Sequence, residues 1–287
     1  MPARRQSPPL LDLTRQVTFT AGHIYRGGGM SRAELKAQFG VAAEPSGHGH
    51  NYVLDVTVRG PVDEQTGMVV NIKTLDARLD EMLDPIDHRM LNVSLDEFRN
   101  GVPTTERLAQ ALWRRLPKRV GKARPIALRL EEHPGLYVSL NGKGRRMVYL
   151  TRSIEFAAAH RLHTCEMTDA ANLKVYGKCN NPNGHGHNYV AEVTVAGVPD
   201  RKTGCVIDLG RFEALLEAEI EKRFDHKHLN LDTPYFRKLV PTAENIARVI
   251  WRLLVDKVRK CRSKGRVKLH RVRLIETARS RFDYFGD

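Results

Sequence analysis

Gly47-His48-Gly49-His50-Asn51-Tyr52-Val53 recurs as Gly184-His185-Gly186-His187-Asn188-Tyr189-Val190, 137 residues further along the chain. Around this core, Ser46–Gly60 and Asn183–Gly197 are identical at 11 of 15 positions. Self-similarity at a fixed offset marks a duplicated unit. Working outward, Phe19, Ala21 and His23 match Phe156, Ala158 and His160, and Asp87-His88 matches Asp225-His226. Val102-Pro103-Thr104 and Glu106 match Val240-Pro241-Thr242 and Glu244, and Trp113-Arg114 matches Trp251-Arg252. The order of features is the same in both halves. The expected organisation is a disordered tail over 1–14, a first repeat over 15–146 and a second over 147–287. The join is placed at Asn141–Arg146, which is rich in Gly and Arg and has turn character.

Each repeat reads as strand, long loop, strand, helix, short linker, helix, strand. Tyr52–Val58 alternates and carries Val and Thr, as a strand should. Ile72, Leu75, Leu79, Met82 and Leu83 follow helical spacing, as do Leu209, Phe212, Leu215, Leu216 and Ile220. Thr104 and Thr242 each follow a proline and are N-cap candidates for a second helix. Val267–Ile275 closes the second repeat as a strand. The fold class predicted is α+β, with an antiparallel sheet and helices on one face. The other sheet face then needs cover, which suggests a homo-oligomer.

Composition narrows the function classes. At 287 residues, 41% hydrophobic and 28% charged, the chain reads as a soluble globular protein of two domains. It has no run of ~18 apolar residues, so no membrane span is expected, and Met1–Thr14 lacks the apolar core of a secretory signal. Cys165, Cys179, Cys205 and Cys261 form neither a disulfide framework nor a CxxC site, which points to a reducing cytoplasm. The net charge of +14 is scattered, apart from short clusters such as Lys257–Arg266. No nucleic-acid motif accompanies it, so RNA or DNA is not the expected partner.

In His-Gly-His on a strand, both imidazoles point to one face. A third histidine, His23 or His160, sits in phase with an alanine and a phenylalanine two and four residues before it. Adjacent strands are ~4.8 Å apart, so three imidazoles can converge on one ion. Three nitrogen ligands with an open fourth position is the pattern of catalytic zinc. The alternative is a set of paired core or surface histidines. The recurrence of all three at one offset favours metal: His160, His185 and His187 in the second repeat, and His23, His48 and His50 in the first.

Residues 150–287 resemble the 6-pyruvoyl-tetrahydropterin synthase family, which extends to the 6-carboxytetrahydropterin synthases. The resemblance lies in Phe156–Leu162, in Asn172–Tyr189, in Phe224–Asn230, in Pro241–Glu244 and in Ile275–Thr277, and its most specific run is Gly177–Tyr189. The first repeat resembles the family more weakly. The resemblance implies a tunnelling fold, whose small units join edge to edge into a barrel with sites at subunit interfaces. It implies 7,8-dihydroneopterin triphosphate as substrate, loss of triphosphate, and no redox cofactor. In the pyruvoyl branch internal proton transfers follow; in the carboxy branch carbon is also lost as acetaldehyde. His160, His185 and His187 would bind Zn2+, Cys179 would be the general base, and Asp225 and His226 would complete its relay. Thr242, Glu244 and Glu276 would hold the pterin. The spacing from Cys179 to His185 and the Asn-Asn-Pro-Asn insert favour the pyruvoyl branch.

Each role has a plainer counterpart. Cys179 could be a small buried hydrophobe, and Asp225-His226 a charge pair at a helix end. Glu244 could be a first-turn acid favoured by the helix dipole, and Glu276 a salt-bridge partner of Arg271, Arg273 or Arg279. The first repeat keeps Asp87, His88, Glu106 and Glu132, but Ala42 stands where the second has Cys179. Glu44 lies four residues before His48. In glutamate-type relatives a carboxylate replaces the thiol, and the product is 6-hydroxymethyl-dihydropterin, a folate precursor. The first repeat is therefore either a glutamate-type site or a structural or regulatory copy. Outside enzymes altogether, a non-catalytic zinc- or pterin-binding protein and an RNA-binding protein remain open. Turnover of the triphosphate and salt-dependent RNA binding would distinguish them.

Overall fold

The computed structural model describes residues 9–142, 146–261 and 266–286. They form two units, one of 1–150 with 198–206 and one of 151–197 with 207–287. Of the expected join, residues 143–145 lie outside the described residues, as do 1–8 of the expected tail. The rest of that tail is a correction: Leu10–Thr14 belong to the first strand. Their backbone groups pair along the partner strand from Leu10 opposite Pro61 to Thr14 opposite Thr57, so they are not free chain.

In the first unit, β1 (Leu10–His23) and β2 (His48–Pro61) form a long antiparallel pair in which His23 lies opposite His48. The dipeptide β3 (Arg89–Met90) runs parallel to β1, and the hairpin of β4 (Arg124–His133) and β5 (Leu136–Asn141) extends the sheet beyond β2. The helices of eight or more residues in this unit are α1 (Arg32–Phe39), α2 (Ile72–Leu83) and α3 (Thr105–Arg115). The second unit repeats the plan. β6 (Val148–His160) neighbours β7 (His185–Gly197), β8 (Lys227–His228) runs parallel to β6, and β9 (Val267–Thr277) with β10 (Ser280–Tyr284) completes the sheet. Its helices of eight or more residues are α4 (Asp169–Tyr176), α5 (Leu209–Leu216) and α6 (Ala243–Leu254). Each unit is thus α+β, with a largely antiparallel sheet, as the sequence predicts.

Alternation explains which face is the core. Phe19, Ala21, His23, Tyr52, Leu54, Val56 and Val58 are buried, and Leu75, Leu79, Leu108 and Leu112 of the helices are buried with them. In the second unit Phe156, Tyr189, Ala191 and Val193 join Phe212, Ile246 and Ile250. Burying one such side chain contributes roughly 1.5–3 kcal/mol. The Arg15–Asp76 ion pair from β1 to α2 recurs as Arg152–Glu213 from β6 to α5.

The opposite sheet face differs from the expectation that it must be covered. It carries Thr14 against Thr57 at 2.8 Å, Gln16 against Asp55 at 2.8 Å, and the Arg59–Asp12 pair. Arg273 pairs with Asp283 at 2.7 Å on the same side of the second sheet. Water can cover such a surface, so the sheets do not by themselves demand a partner. Among the described residues no helix is long and apolar enough to cross a membrane.

Candidate metal centre and active site

Strand pairing brings the histidines together in each unit. His160 ends β6, where strand alternation turns it to the helix side, and His185 and His187 begin β7 on that side. Their ligand atoms all lie within 4.8 Å of one another. The His160 and His185 Nε2 atoms are 3.1 Å apart. Two nitrogens on a tetrahedral zinc with bonds of ~2.0–2.1 Å would be about 3.3 Å apart. His160 Nδ1 donates to the Pro241 carbonyl at 2.8 Å, which fixes the tautomer and aims Nε2 at its neighbours. Burial lowers His160 to about 4, and the two histidines beside it add to the effect. Burial also lowers His185. His160 is thus the neutral imidazole a metal needs. The donor set therefore fits zinc.

The first unit builds the same centre. His23 Nε2 faces His48 Nε2 at 2.9 Å, His23 Nδ1 donates to the Pro103 carbonyl at 3.1 Å, and burial drives His23 down to about 3. His50 Nε2 is buried without a hydrogen-bond partner, an orphan that a bound cation would satisfy.

Around the second centre, Cys179 is half-buried on the 3₁₀ turn Gly177–Asn180 that follows α4. The Tyr189 hydroxyl lies 3.3 Å from His160 Nδ1, and burial followed by Glu276 and Cys179 raises its pKa. The Leu162 N–H donates to the Cys179 carbonyl at 2.9 Å, two residues past His160, which ties the thiol's turn to the end of β6. Glu276 Oε1 is 3.9 Å from His187 Nε2. Thr242 caps α6 by accepting from the Asn245 N–H, and Glu244 is exposed in the first turn.

Asp225 and His226 stand apart from the triad face. Asp225 Oδ1 accepts from the Ala157 N–H at 2.7 Å, and its Oδ2 accepts from His226 Nδ1 at 2.7 Å. The Ala157 and His226 contacts hold the carboxyl below the usual range. His226 is 84% exposed and lines a pocket with residues 157–159 and 186–188, of which Ala157, Ala159, Gly186 and Asn188 alternate with the triad residues along their strands and His187 belongs to the triad. The single unit does not bring this pair to Cys179. Asp87 repeats the arrangement, accepting from the Thr20 N–H at 2.8 Å and pairing with His88 at 3.0 Å. Among the described residues, His88 (φ 56°) and His226 (φ 53°) are the two non-glycines with positive φ. Strain of this kind concentrates at functional positions.

In the first unit the acids are buried. Glu106 is 4% exposed and accepts from the Val206 N–H at 2.9 Å; burial raises it to about 7. Glu132 is 6% exposed, accepts from the Thr105 hydroxyl, and is raised by burial. The helices α1 and α4, and the 3₁₀ turns Gly40–Ala43 and Gly177–Asn180, keep the offset of 137 without a gap. Ala42 therefore stands at the Cys179 position, and Glu44 is an exposed residue beyond the turn. The sequence reading passed over Tyr189, the two proline carbonyls and Thr105. Tyr52 and Tyr189 carry a signal in hindsight, two residues past the last histidine in each repeat.

Residues 12–143 and 149–287 each match the family described as 6-pyruvoyl tetrahydropterin synthase. The chain belongs to the 6-pyruvoyl tetrahydropterin synthase family. The 6-pyruvoyl tetrahydrobiopterin synthase of Homo sapiens is 42% identical over 151 residues, covering 52% of this chain and 100% of its own. That of Drosophila melanogaster is 43% identical over 140 residues, covering 49% of this chain and 80% of its own. The 6-carboxy-5,6,7,8-tetrahydropterin synthase of Rickettsia conorii is 34% identical over 116 residues, covering 35% of this chain and 75% of its own. The solved structure of the Caenorhabditis elegans 6-pyruvoyl tetrahydropterin synthase matches at 36% identity with a TM-score of 0.44, covering 49% of this chain and 96% of that one. A whole synthase thus corresponds to about half of this chain, and the two family matches make it a tandem duplication.

Proposed function

We propose that the second repeat is a zinc-dependent lyase that converts 7,8-dihydroneopterin triphosphate to 6-pyruvoyl-tetrahydropterin. The observation that carries this is the gathering of three imidazoles, a half-buried thiol and the Glu276 carboxylate in one unit. Zinc held by His160, His185 and His187 would polarise the substrate's side-chain hydroxyls and stabilise developing negative charge. Cys179 takes the carbon-bound proton, for which a nearby cation must favour its thiolate. Glu276 and Glu244 offer carboxylates to the adjacent N–H donors of the pterin ring. Asp225 orients His226 for proton transfer, which requires the face they occupy to meet a site other than their own triad. The higher identity to pyruvoyl than to carboxy synthases supports the pyruvoyl product. The cytoplasm, where the four free thiols persist, is the proposed location. The test is mass spectrometry of the product from purified protein and substrate. A 6-carboxytetrahydropterin product would move the chain to the carboxy branch, and an unchanged substrate would reject both.

The first repeat is proposed to bind the same pterin. Its triad is retained, with His23 buried and His48 and His50 half-buried, and Glu106 and Glu132 are buried. Its chemistry, if any, would run through Glu44 and yield 6-hydroxymethyl-dihydropterin. Cys179→Ala combined with Glu44→Gln, compared with each single change, separates the two sites. A Cys179→Ala protein that makes no product of any kind and binds one pterin per chain instead of two leaves the first repeat structural.

A further inference from the structure

Positive charge gathers in the first unit where neither triad uses it. The segment Arg114–Arg124 leads from the end of α3 into β4 and holds six cations in eleven residues. It is built as a fixed platform. Leu116, Val120 and Ala123 are buried, while Lys118, Arg119, Lys122 and Arg124 are exposed. The Val120 N–H donates to the Ala123 carbonyl at 3.0 Å, and the Ala123 N–H donates back at 3.1 Å, which pins the Gly121-Lys122 turn. Gly121, at φ 60°, is the residue such a tight turn requires. A Cβ on Gly60 would lie 2.9 Å from Ala123 Cα, so β2 packs directly against the turn.

The charge on this platform is only partly neutralised. Arg114 and Arg115 share Glu97, and Lys122 pairs with Asp63 at 3.3 Å. Among the described residues no carboxylate pairs with Lys118, Arg119 or Arg124. Arg124 also lies directly opposite Arg59 in the register of β2 with β4, and both are exposed. Like charges directly opposite one another are destabilising. Folding therefore does not explain the arrangement, whereas a bound polyanion would. The second repeat has cations at the corresponding place: Arg259, Lys260 and Arg266 are exposed between α6 and β9.

We propose that the Lys118–Arg124 face binds the phosphate backbone of double-helical RNA. Arg119 and Arg124 offer planar forks that match phosphate oxygens, and Lys118 adds a point charge. Between Lys118 and Arg124 the sequence has no aromatic residue on which unpaired bases could stack, so a duplex fits better than a single strand. None of the exposed large hydrophobic side chains lies within 114–124, so the segment has no anchor for a lipid surface. Contacts to phosphate fix position without reading sequence. They need no base-reading motif, and the lack of one in this chain is no obstacle. The cytoplasm proposed for this protein makes RNA the duplex within reach.

Fluorescence anisotropy of a labelled RNA hairpin with the full zinc-loaded chain, between about 50 and 200 mM salt, tests the proposal. Binding should weaken steeply as salt rises. Lys118→Ser with Arg119→Ser and Arg124→Ser should lower the log–log salt slope by about 3, near 1 for each phosphate contact removed. Arg32→Ser with Lys36→Ser and Lys73→Ser removes the same charge from exposed positions elsewhere in the first unit and should leave the slope at the parent's value. If the first triple variant loses its circular dichroism signal, Lys118→Ser with Arg119→Ser alone should lower the slope by about 2. A parent that does not bind at about 50 mM salt, equal losses in the two triple variants, or tighter binding of an unpaired strand overturns the proposal. So does a parent that binds phosphatidylserine vesicles and leaves the hairpin free, which would make the face a membrane surface.

Discussion

Individual side chains set the chemistry, and the triads were the most legible part of it. A His-x-His in phase with a strand can present both rings only to one face, and the pairing of β1 with β2 supplies the third ring. His185→Ala should remove zinc from the second unit and leave about half the metal of the parent, measured by elemental analysis. The acids were less legible. Glu106 lies in a first helical turn, as expected, but its burial comes from Val206, 100 residues away, and no local pattern encodes that cover. Its pKa of about 7 has a stability consequence. Because the folded value is raised above 4.5, the stability is fully present below pH 4.5 and is lost as pH rises toward 7 and beyond. Glu106→Gln should abolish that loss, on the order of 3 kcal/mol. Thermal melts of parent and variant at pH 5 and pH 8 check it: the variant should gain relative to the parent at pH 8. Equal differences at both values would show that Glu106 is not titrating.

At the level of elements, periodicity found the long helices because packing and propensity agree there. Thr104 and Thr242 accept from the N–H groups of Arg107 and Asn245 and so cap α3 and α6 as predicted. Thr242→Ala should cost about 1 kcal/mol in denaturant unfolding. Ile250→Ala, which empties a fully buried position on α6, should cost about 2–5 kcal/mol. The short helices escaped notice inside what reads as a long loop. Each has eight residues and buries a single side chain, Leu35 in α1 and Asn172 in α4, so neither has an apolar stripe to read. The capping box of Ser31 and Glu34 was the available signal. The closing hairpin of each unit reads as one strand in the sequence, because β5 and β10 are only six and five residues long.

For the whole molecule, the repeat predicts two α+β units, since offsets of 137 and 138 align strands, histidines and caps in order. What it could not predict is that Val198–Val206 belongs with the first unit, because a contact made by a loop on a distant helix leaves no periodic trace. The duplication has also let the sites diverge: one keeps a thiol and an open acid, the other has buried acids and no thiol. The central claim is that the second repeat catalyses through Cys179 on a zinc-bound pterin substrate. The direct measurement is turnover of 7,8-dihydroneopterin triphosphate by Cys179→Ala in a Glu44→Gln background, with zinc content measured on the same sample. The account predicts unchanged zinc and a rate lower by roughly 10²–10⁴, the contribution of a positioned general base; turnover at the parent's rate by that zinc-loaded variant would contradict it.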